Sequence, residues 1–234
     1  MAAKDYLHTI LLSQDGSPRY PCIPAIAAFK SDELHMGYFS SDKEIAEHAP
    51  RVLGDIKLFY EKLPEINPAH AAYVSFFQEQ IGNTNASYRQ DFWKLLSELR
   101  RLDPEPWPDG ATADIYDPNF QYQLLGKPIF ATGFWVDHPH VSRRTKPPVR
   151  MLIVFGPPSN VEPFKDDLDR RGEEGRFHHL VEAIRQRDDV YSASSGGRLS
   201  TSQYTAAPVH SQVYEYQGMK TETTEHVPLD LHIK

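Results

Sequence analysis

The sequence predicts an α+β protein, with a helical N-terminal half packed on a small, mainly antiparallel sheet in the C-terminal half. Three observations lead there. Apolar residues recur at helical spacing from residue 45 to residue 102. Pro104, Pro106 and Pro108 then end that pattern, because each removes a backbone donor and restricts the residue before it. Beyond them the apolar residues gather in short runs of β type.

The first apolar block, Tyr20-Pro21-Cys22-Ile23-Pro24-Ala25-Ile26-Ala27-Ala28-Phe29, enters the core, and its prolines keep Cys22 out of a helix interior. Ser41-Asp42-Lys43-Glu44 has the Ser-x-x-Glu form of a capping box. Ile45, Val52, Leu53, Ile56, Phe59, Tyr60 and Leu63 follow at helical spacing, with Pro50 as a point of disturbance. Asn67-Pro68 reads as the cap and first turn of a second helix, with Tyr73, Phe76, Phe77 and Ile81 on its apolar face and Gly82 at its end. Ser87-Tyr88-Arg89-Gln90 opens a third, turning Phe92, Leu95, Leu96, Leu99 and Leu102 inward.

After the proline break, Phe120 to Leu125 and Ile129 to Val136 flank Gly126-Lys127-Pro128 and suit a hairpin. Val149 to Phe155 is apolar enough to be a central strand, ended by Gly156-Pro157-Pro158. Phe177 to Arg187 can form a helix presenting Phe177, Leu180, Val181 and Ile184, and Val209 to Gln217 is the last strand candidate. Between them the Ser- and Gly-rich stretch 192–202 reads as a mobile loop, and 219–234 as a flexible tail.

The chain has 234 residues, enough for one large domain or a domain with a small appendage. With 12% aromatic residues and interspersed charges, its composition is globular rather than disordered. Its 25 Lys and Arg against 32 Asp and Glu give a formal charge of -7. General nucleic-acid and anionic-membrane binders carry a basic excess, so small-molecule chemistry is the better expectation. Met1 to Asp5 is too polar for a secretory segment, and no stretch approaches the roughly 18 apolar residues of a membrane helix. The expectation is a cytoplasmic protein. Its single cysteine, Cys22, has no intramolecular disulfide partner.

The segment richest in chemistry is Val136-Asp137-His138-Pro139-His140-Val141-Ser142-Arg143-Arg144. It lies between two expected strands, where rigid elements often hold reactive groups. A neutral imidazole can ligate a transition metal, and arginines pair with carboxylates. A solvated basic turn has the same composition, and the residues alone leave both readings open. No Gly-x-Gly-x-x-Gly loop, Walker A sequence, Gly-x-Ser-x-Gly elbow or His-Glu-x-x-His helix is present. Glu44 with Glu47-His48 is the nearest approach to a di-iron carboxylate element, and one such group on a charged helix face is usually solvated. His178 and His179 point about 100° apart on a helix, which argues against joint chelation.

His138-Pro139-x-x-Ser142-Arg143, following an aromatic-rich strand, resembles the hallmark of the YqcI/YcgG family. Tyr20-Pro21-Cys22 resembles that family's Phe-Pro-Cys start. Phe92-Trp93 with Leu95-Leu96, and then Trp107-Pro108, resemble its helix and following turn. Ile184-Arg185-Gln186-Arg187-Asp188 is similar to its Ile-Arg-x-Arg-Asp segment, and Ser211 with Tyr216-x-Gly218 is similar to its ending. The matches span residues 20 to 218 in order, and the resemblance implies one domain over residues 1–234.

The family includes haem-dependent N-oxygenases acting on amino acids and guanidines, among them pre-guanitoxin N-hydroxylase and arginine N-hydroxylases. The resemblance therefore implies haem b in this chain, with oxygen inserted at a nitrogen of an arginine-like substrate in secondary metabolism. It implies His138 as axial and metal ligand, with His140 as nearest competitor or as a donor to the oxidant. Cys22 is the thiolate alternative, although a cysteine in an apolar context is more often a small buried hydrophobe. Arg143 and Arg144 would pair with the propionates, Ser142 adding a hydroxyl.

Glu215 and Tyr216 would meet the substrate, in place of a family glutamate where this chain has Gln212. The Gly156 to Asn160 stretch also departs from the family's continuation, so that wall of the pocket differs. Trp107, Phe134, Trp135, Tyr214 and Tyr216 are candidates to line the cavity, with ordinary core as the plainer reading. The implied partners are a small amine or guanidine and an electron donor or peroxide. Neither nucleic acid nor membrane is expected, and a homodimer is common at this size. The alternative is a haem- or ligand-binding protein without oxygenase activity, or a scaffold in which the His138 segment is structural.

Overall fold

The computed structural model describes residues 3–12, 14, 23–40, 42–67, 70–78, 85–113, 121–136, 144–146, 149–160 and 170. The architecture is α+β. Four helices, α1 (Ala3–Leu11), α2 (Ile23–Ser31), α3 (Ala49–Lys62) and α4 (Asn85–Leu102), accompany a four-stranded sheet. Its strands are β1 (Leu34–Phe39), β2 (Ala72–Gln78), β5 (Phe130–Trp135) and β6 (Val149–Gly156), in the order β1-β2-β6-β5. β1 and β2 run parallel across the α3 crossover, whereas β2–β6 and β5–β6 are antiparallel. A separate ribbon pairs β3 (Gln123–Leu124) with β4 (Lys127–Pro128). Among the described residues, no helix is long and apolar enough to cross a membrane.

Alternation along the strands divides the core in two. Tyr73, Phe77, Ala131, Trp135, Met151, Ile153 and Phe155 face α3 and α4, joining Val52, Ile56, Phe59, Phe92, Leu95, Leu96 and Leu99. Ala72, Val74, Phe76, Phe134, Leu152 and Val154 face the other way, onto Tyr6, Leu7, Ile10 and Leu11 of α1 and Ile26 and Ala28 of α2. The sheet is therefore a middle layer with helices on both faces. Two of its strands belong to the N-terminal half, which the sequence pattern predicts to be mainly helical.

That difference centres on β2. The expected helix after Asn67-Pro68 is a strand instead, Ala72–Gln78, and every residue from Ala72 to Phe77 is buried. A central strand covered on both faces carries apolar residues without a visible period of two. Tyr73, Phe76 and Phe77 thus mimic a helical stripe, while the aromatic and β-branched content favours extended backbone.

The helix over 45–63 forms as expected, but in two parts. A 3-10 turn, Ile45–His48, precedes α3, and Pro50 stands in the first turn of α3. A proline there loses no intrahelical bond, so it starts the helix rather than disturbing it. The turn is capped by Glu47, whose carboxylate accepts the Glu44 N–H at 2.9 Å.

Helix α4 begins two residues before the expected Ser87 and ends at the proline break, with Phe92, Leu95, Leu96 and Leu99 fully buried. The hairpin around Gly126 is a two-residue turn, with Leu125 at φ 55° and Gly126 at φ 69°. Two positive φ values in succession are the type I′ geometry that matches strand twist. β5 then pairs with β6, not with the run before it. The helix expected at Phe177 to Arg187, the loop 192–202, the strand at Val209 to Gln217 and the tail 219–234 lie outside the described residues.

Candidate functional site

Cross-strand register assembles one end of the sheet. Phe39 pairs with Phe77, Phe77 with Met151, and Met151 with Trp135, so the four form a row across all four strands on the α3/α4 face. The parallel pair β1 and β2 ends at this row, and β5 ends there too. The connection from β5 to β6, which carries the His138 motif, therefore leaves and rejoins the sheet beside the carboxyl ends of its parallel strands. Chain ends of this kind are where open sheets with parallel strands commonly place ligands.

The base of that connection is tightly bonded. Val136 N–H donates to the Arg150 carbonyl at 3.1 Å, and Thr145 N–H donates to the Trp135 carbonyl at 3.3 Å. Thr145, buried itself, donates its hydroxyl to the same Arg150 carbonyl at 2.9 Å. From α1, Tyr6 reaches the same limb. Its hydroxyl donates to the Lys146 carbonyl at 2.7 Å and accepts the Lys146 N–H at 2.9 Å. Burial pushes the Tyr6 phenol up to about 12, against the opposing pull of its hydrogen bonds to Lys146 and Thr145.

At the β1 side of the same sheet end stands His48. The sequence pattern suggests a solvated group beside Glu47, yet the ring is buried, tilted against Phe39 at 5.2 Å and Phe77 at 6.0 Å. Its Nε2 lies 3.1 Å from the Ser40 carbonyl, an oxygen that can accept but not donate. The imidazole thus closes the turn after β1. Its signal was the apolar spacing of Ile45, Ala49 and Val52 around it, which places His48 near the inward face.

Of the motif residues, Arg144 is described, an exposed side chain on the limb that Thr145 and Tyr6 hold. His138, His140, Ser142, Arg143, Cys22, Glu215 and Tyr216 lie outside the described residues. Helix α2 starts at Ile23, the residue after Cys22 in the chain. The aromatic candidates divide. Phe134 and Trp135 are both fully buried but on opposite faces of β5, so they line no common cavity. Trp107 is also core, its indole N–H donating to the Ala111 carbonyl at 2.9 Å.

A polar knot that the sequence did not announce lies where α4 ends. Arg100 and Asp103, both fully buried, form an ion pair. The Asp103 carboxylate also accepts Glu105 N–H at 2.9 Å and Leu125 N–H at 2.7 Å. The Arg100 guanidinium lies 5.8 Å from the Trp107 ring centre. Beside it runs a groove of about 590 Å³ lined by Pro50, Leu53, Lys57, Tyr60, Glu105 and Lys127, among others, with the Lys127 ammonium 5.2 Å above the Tyr60 ring. The groove follows α3 and the β3–β4 turn, and none of the described residues lining it belongs to the His138 motif.

The sequence model of the YqcI/YcgG family matches residues 7–229. The uncharacterized protein YcgG of Bacillus subtilis (strain 168) is 25% identical over 210 residues, covering 87% of this chain and 73% of that relative. The uncharacterized protein YqcI of the same strain is 26% identical over 181 residues, covering 76% of this chain and 67% of that relative. No solved structure matches the chain significantly.

Proposed function

The chain belongs to the YqcI/YcgG family, and on that premise we propose that it is a cytoplasmic haem-dependent N-oxygenase. Its substrate is a small amino- or guanidino-bearing molecule of arginine-like type. The observation that carries this reading is the place of the His138-Pro139-His140-Val141-Ser142-Arg143-Arg144 motif in the chain, in the connection between β5 and β6, whose described base is bonded at the end of the parallel strands.

The donor set fits a haem in kind. A haem needs one axial side chain from the protein, which an imidazole supplies. Among the described residues no three His, Cys, Asp or Glu side chains converge on a common point, and a single axial ligand requires no such convergence. Two propionates call for guanidinium groups, and Arg144 is exposed on an anchored limb.

When bound, the haem supplies an iron that activates dioxygen or peroxide for oxygen transfer to nitrogen. His138 would ligate its iron, and Arg143 and Arg144 would hold its propionates, with Ser142 donating a hydroxyl hydrogen bond. His140 holds or moves a proton at its free ring nitrogen. Glu215 accepts hydrogen bonds from the cationic group of the substrate, and Tyr216 orients it.

The test is an ultraviolet–visible spectrum of protein expressed with a haem precursor, before and after reduction and carbon monoxide. Turnover of arginine-like amines with reductant and oxygen, or with peroxide, follows by mass spectrometry. A stoichiometric Soret band with an N-hydroxylated product supports the reading. A Soret band without product leaves a haem-binding protein, and a colourless protein that resists reconstitution removes both.

A further inference from the structure

We propose that Tyr6 is a positioning residue for the motif connection, a clamp by which helix α1 fixes the limb Arg144-Thr145-Lys146; this rests on the reading of that connection as the haem site. One phenol satisfies both backbone groups of Lys146, accepting its N–H at 2.9 Å and donating to its carbonyl at 2.7 Å. A second carbonyl, that of Val149, lies 3.4 Å from the same hydroxyl. The arrangement is that of a tertiary cross-link made by one atom, joining elements 140 positions apart in the chain.

Tyr6 is itself held. It is 3% exposed, its ring meets Phe76 of β2 edge-on at 6.2 Å, and Leu7, Ile10 and Leu11 dock the rest of α1 on the sheet. Two residues before Lys146 stands Arg144, the one residue of His138 to Arg144 among the described residues. Among the described residues, the limb is held by Thr145 bonding to Trp135 and Arg150, by the Val149 N–H donating to the Lys146 carbonyl at 3.2 Å, and by Tyr6 bonding to Lys146. Removing the phenol oxygen takes from the Lys146 N–H its acceptor and leaves the Lys146 carbonyl with the Val149 N–H, and a limb that has lost a buried tertiary partner opens more often. Arg144 would hold a propionate of that haem, so displacing it would alter how the cofactor is held.

The test compares Tyr6→Phe with Ile10→Val, which loosens the same helix without touching Lys146. In the haem-free protein, amide hydrogen exchange at Thr145 and Lys146 should rise at least about tenfold in Tyr6→Phe and stay unchanged in Ile10→Val. In the haem-loaded protein, Tyr6→Phe should change the electron paramagnetic resonance g values of the ferric centre, again unlike Ile10→Val. Unchanged exchange in Tyr6→Phe overturns the clamp. Raised exchange with wild-type g values overturns its role in positioning the cofactor.

If Tyr6→Phe does not fold, the wild-type chain decides. The Lys146 amide should exchange at least about a hundredfold slower than in a free peptide, and an unprotected amide there overturns the clamp. A wild-type protein that takes up no haem sinks the proposed function but leaves the exchange measurement intact.

Discussion

The Asp103 carboxylate accepts the backbone N–H of Leu125 at 2.7 Å, so the end of α4 and the tip of the β3–β4 turn share one buried anion. That bond explains how a leucine comes to occupy φ 55°, a conformation costly for a branched side chain. The turn is held from outside, by a charge that also neutralises Arg100.

Asp103→Ala should therefore be among the most damaging substitutions in the described core. It strands the Arg100 guanidinium, which is 1% exposed, and releases the amides of Glu105 and Leu125. Breaking a buried pair by removing one partner costs about 3–5 kcal/mol. Urea unfolding should show a loss of that size, and a loss below about 1 kcal/mol, within the range of exposed ion pairs, would contradict the assigned role.

Gly133 offers a test of packing. A Cβ built there would meet Trp135 at 2.9 Å and Phe92 at 3.0 Å, both large buried rings. Gly133→Ala should destabilise the protein by about 1–3 kcal/mol through overpacking. Gly54 has nothing within 4 Å of the equivalent position, and in mid-helix Gly54→Ala should stabilise by roughly 0.5–1 kcal/mol. Opposite shifts in melting temperature would check both.

Tyr6 sets an alkaline limit. An unfolded tyrosine ionises near 10, whereas burial holds this one up to about 12. Between those values the native state keeps the proton that the unfolded chain releases. Stability therefore falls as pH rises from about 10 to about 12. Tyr6→Phe removes that contribution, so its urea midpoint should fall less steeply than wild type from pH 10 to 12. Parallel slopes would show that the phenol ionises normally in the fold.

The ligand assignment predicts that His138→Ala abolishes or grossly alters the Soret band of reconstituted protein, while Cys22→Ser leaves it nearly unchanged. The reverse pattern would make this a thiolate centre.

For the propionates, Arg143→Ala should weaken haem retention more than Lys146→Ala. Lys146 is bound by its backbone to Tyr6, and its side chain is exposed and outside the motif. Measured transfer of haem to an acceptor protein at equal rates in both variants would reject the role of Arg143.

Family membership was legible because ordered short motifs survive at low overall identity, and α4, the proline break and β6 were legible because their patterns are local. Leu95, Leu96 and Leu99 declare an inward face by spacing alone, and Met151 to Phe155 declare a strand by unbroken apolarity. Helix α1 and strand β1 went unread, although Tyr6, Leu7, Ile10 and Leu11 form a stripe and Leu34 to Phe39 an edge. Short elements carry too few residues for their period to stand out.

The sequence by itself determined the α+β class, the family and the residue types of the His138 motif, since each of these is written in adjacent or regularly spaced side chains. The tertiary structure decided that 72–78 is a strand between β1 and β6, that His48 is buried, that Arg100 pairs with Asp103 inside the core, and that Tyr6 holds Lys146. Each of those depends on which faces are covered and which backbone groups are left to satisfy. Such conditions join residues far apart in the chain, and no local pattern can encode them.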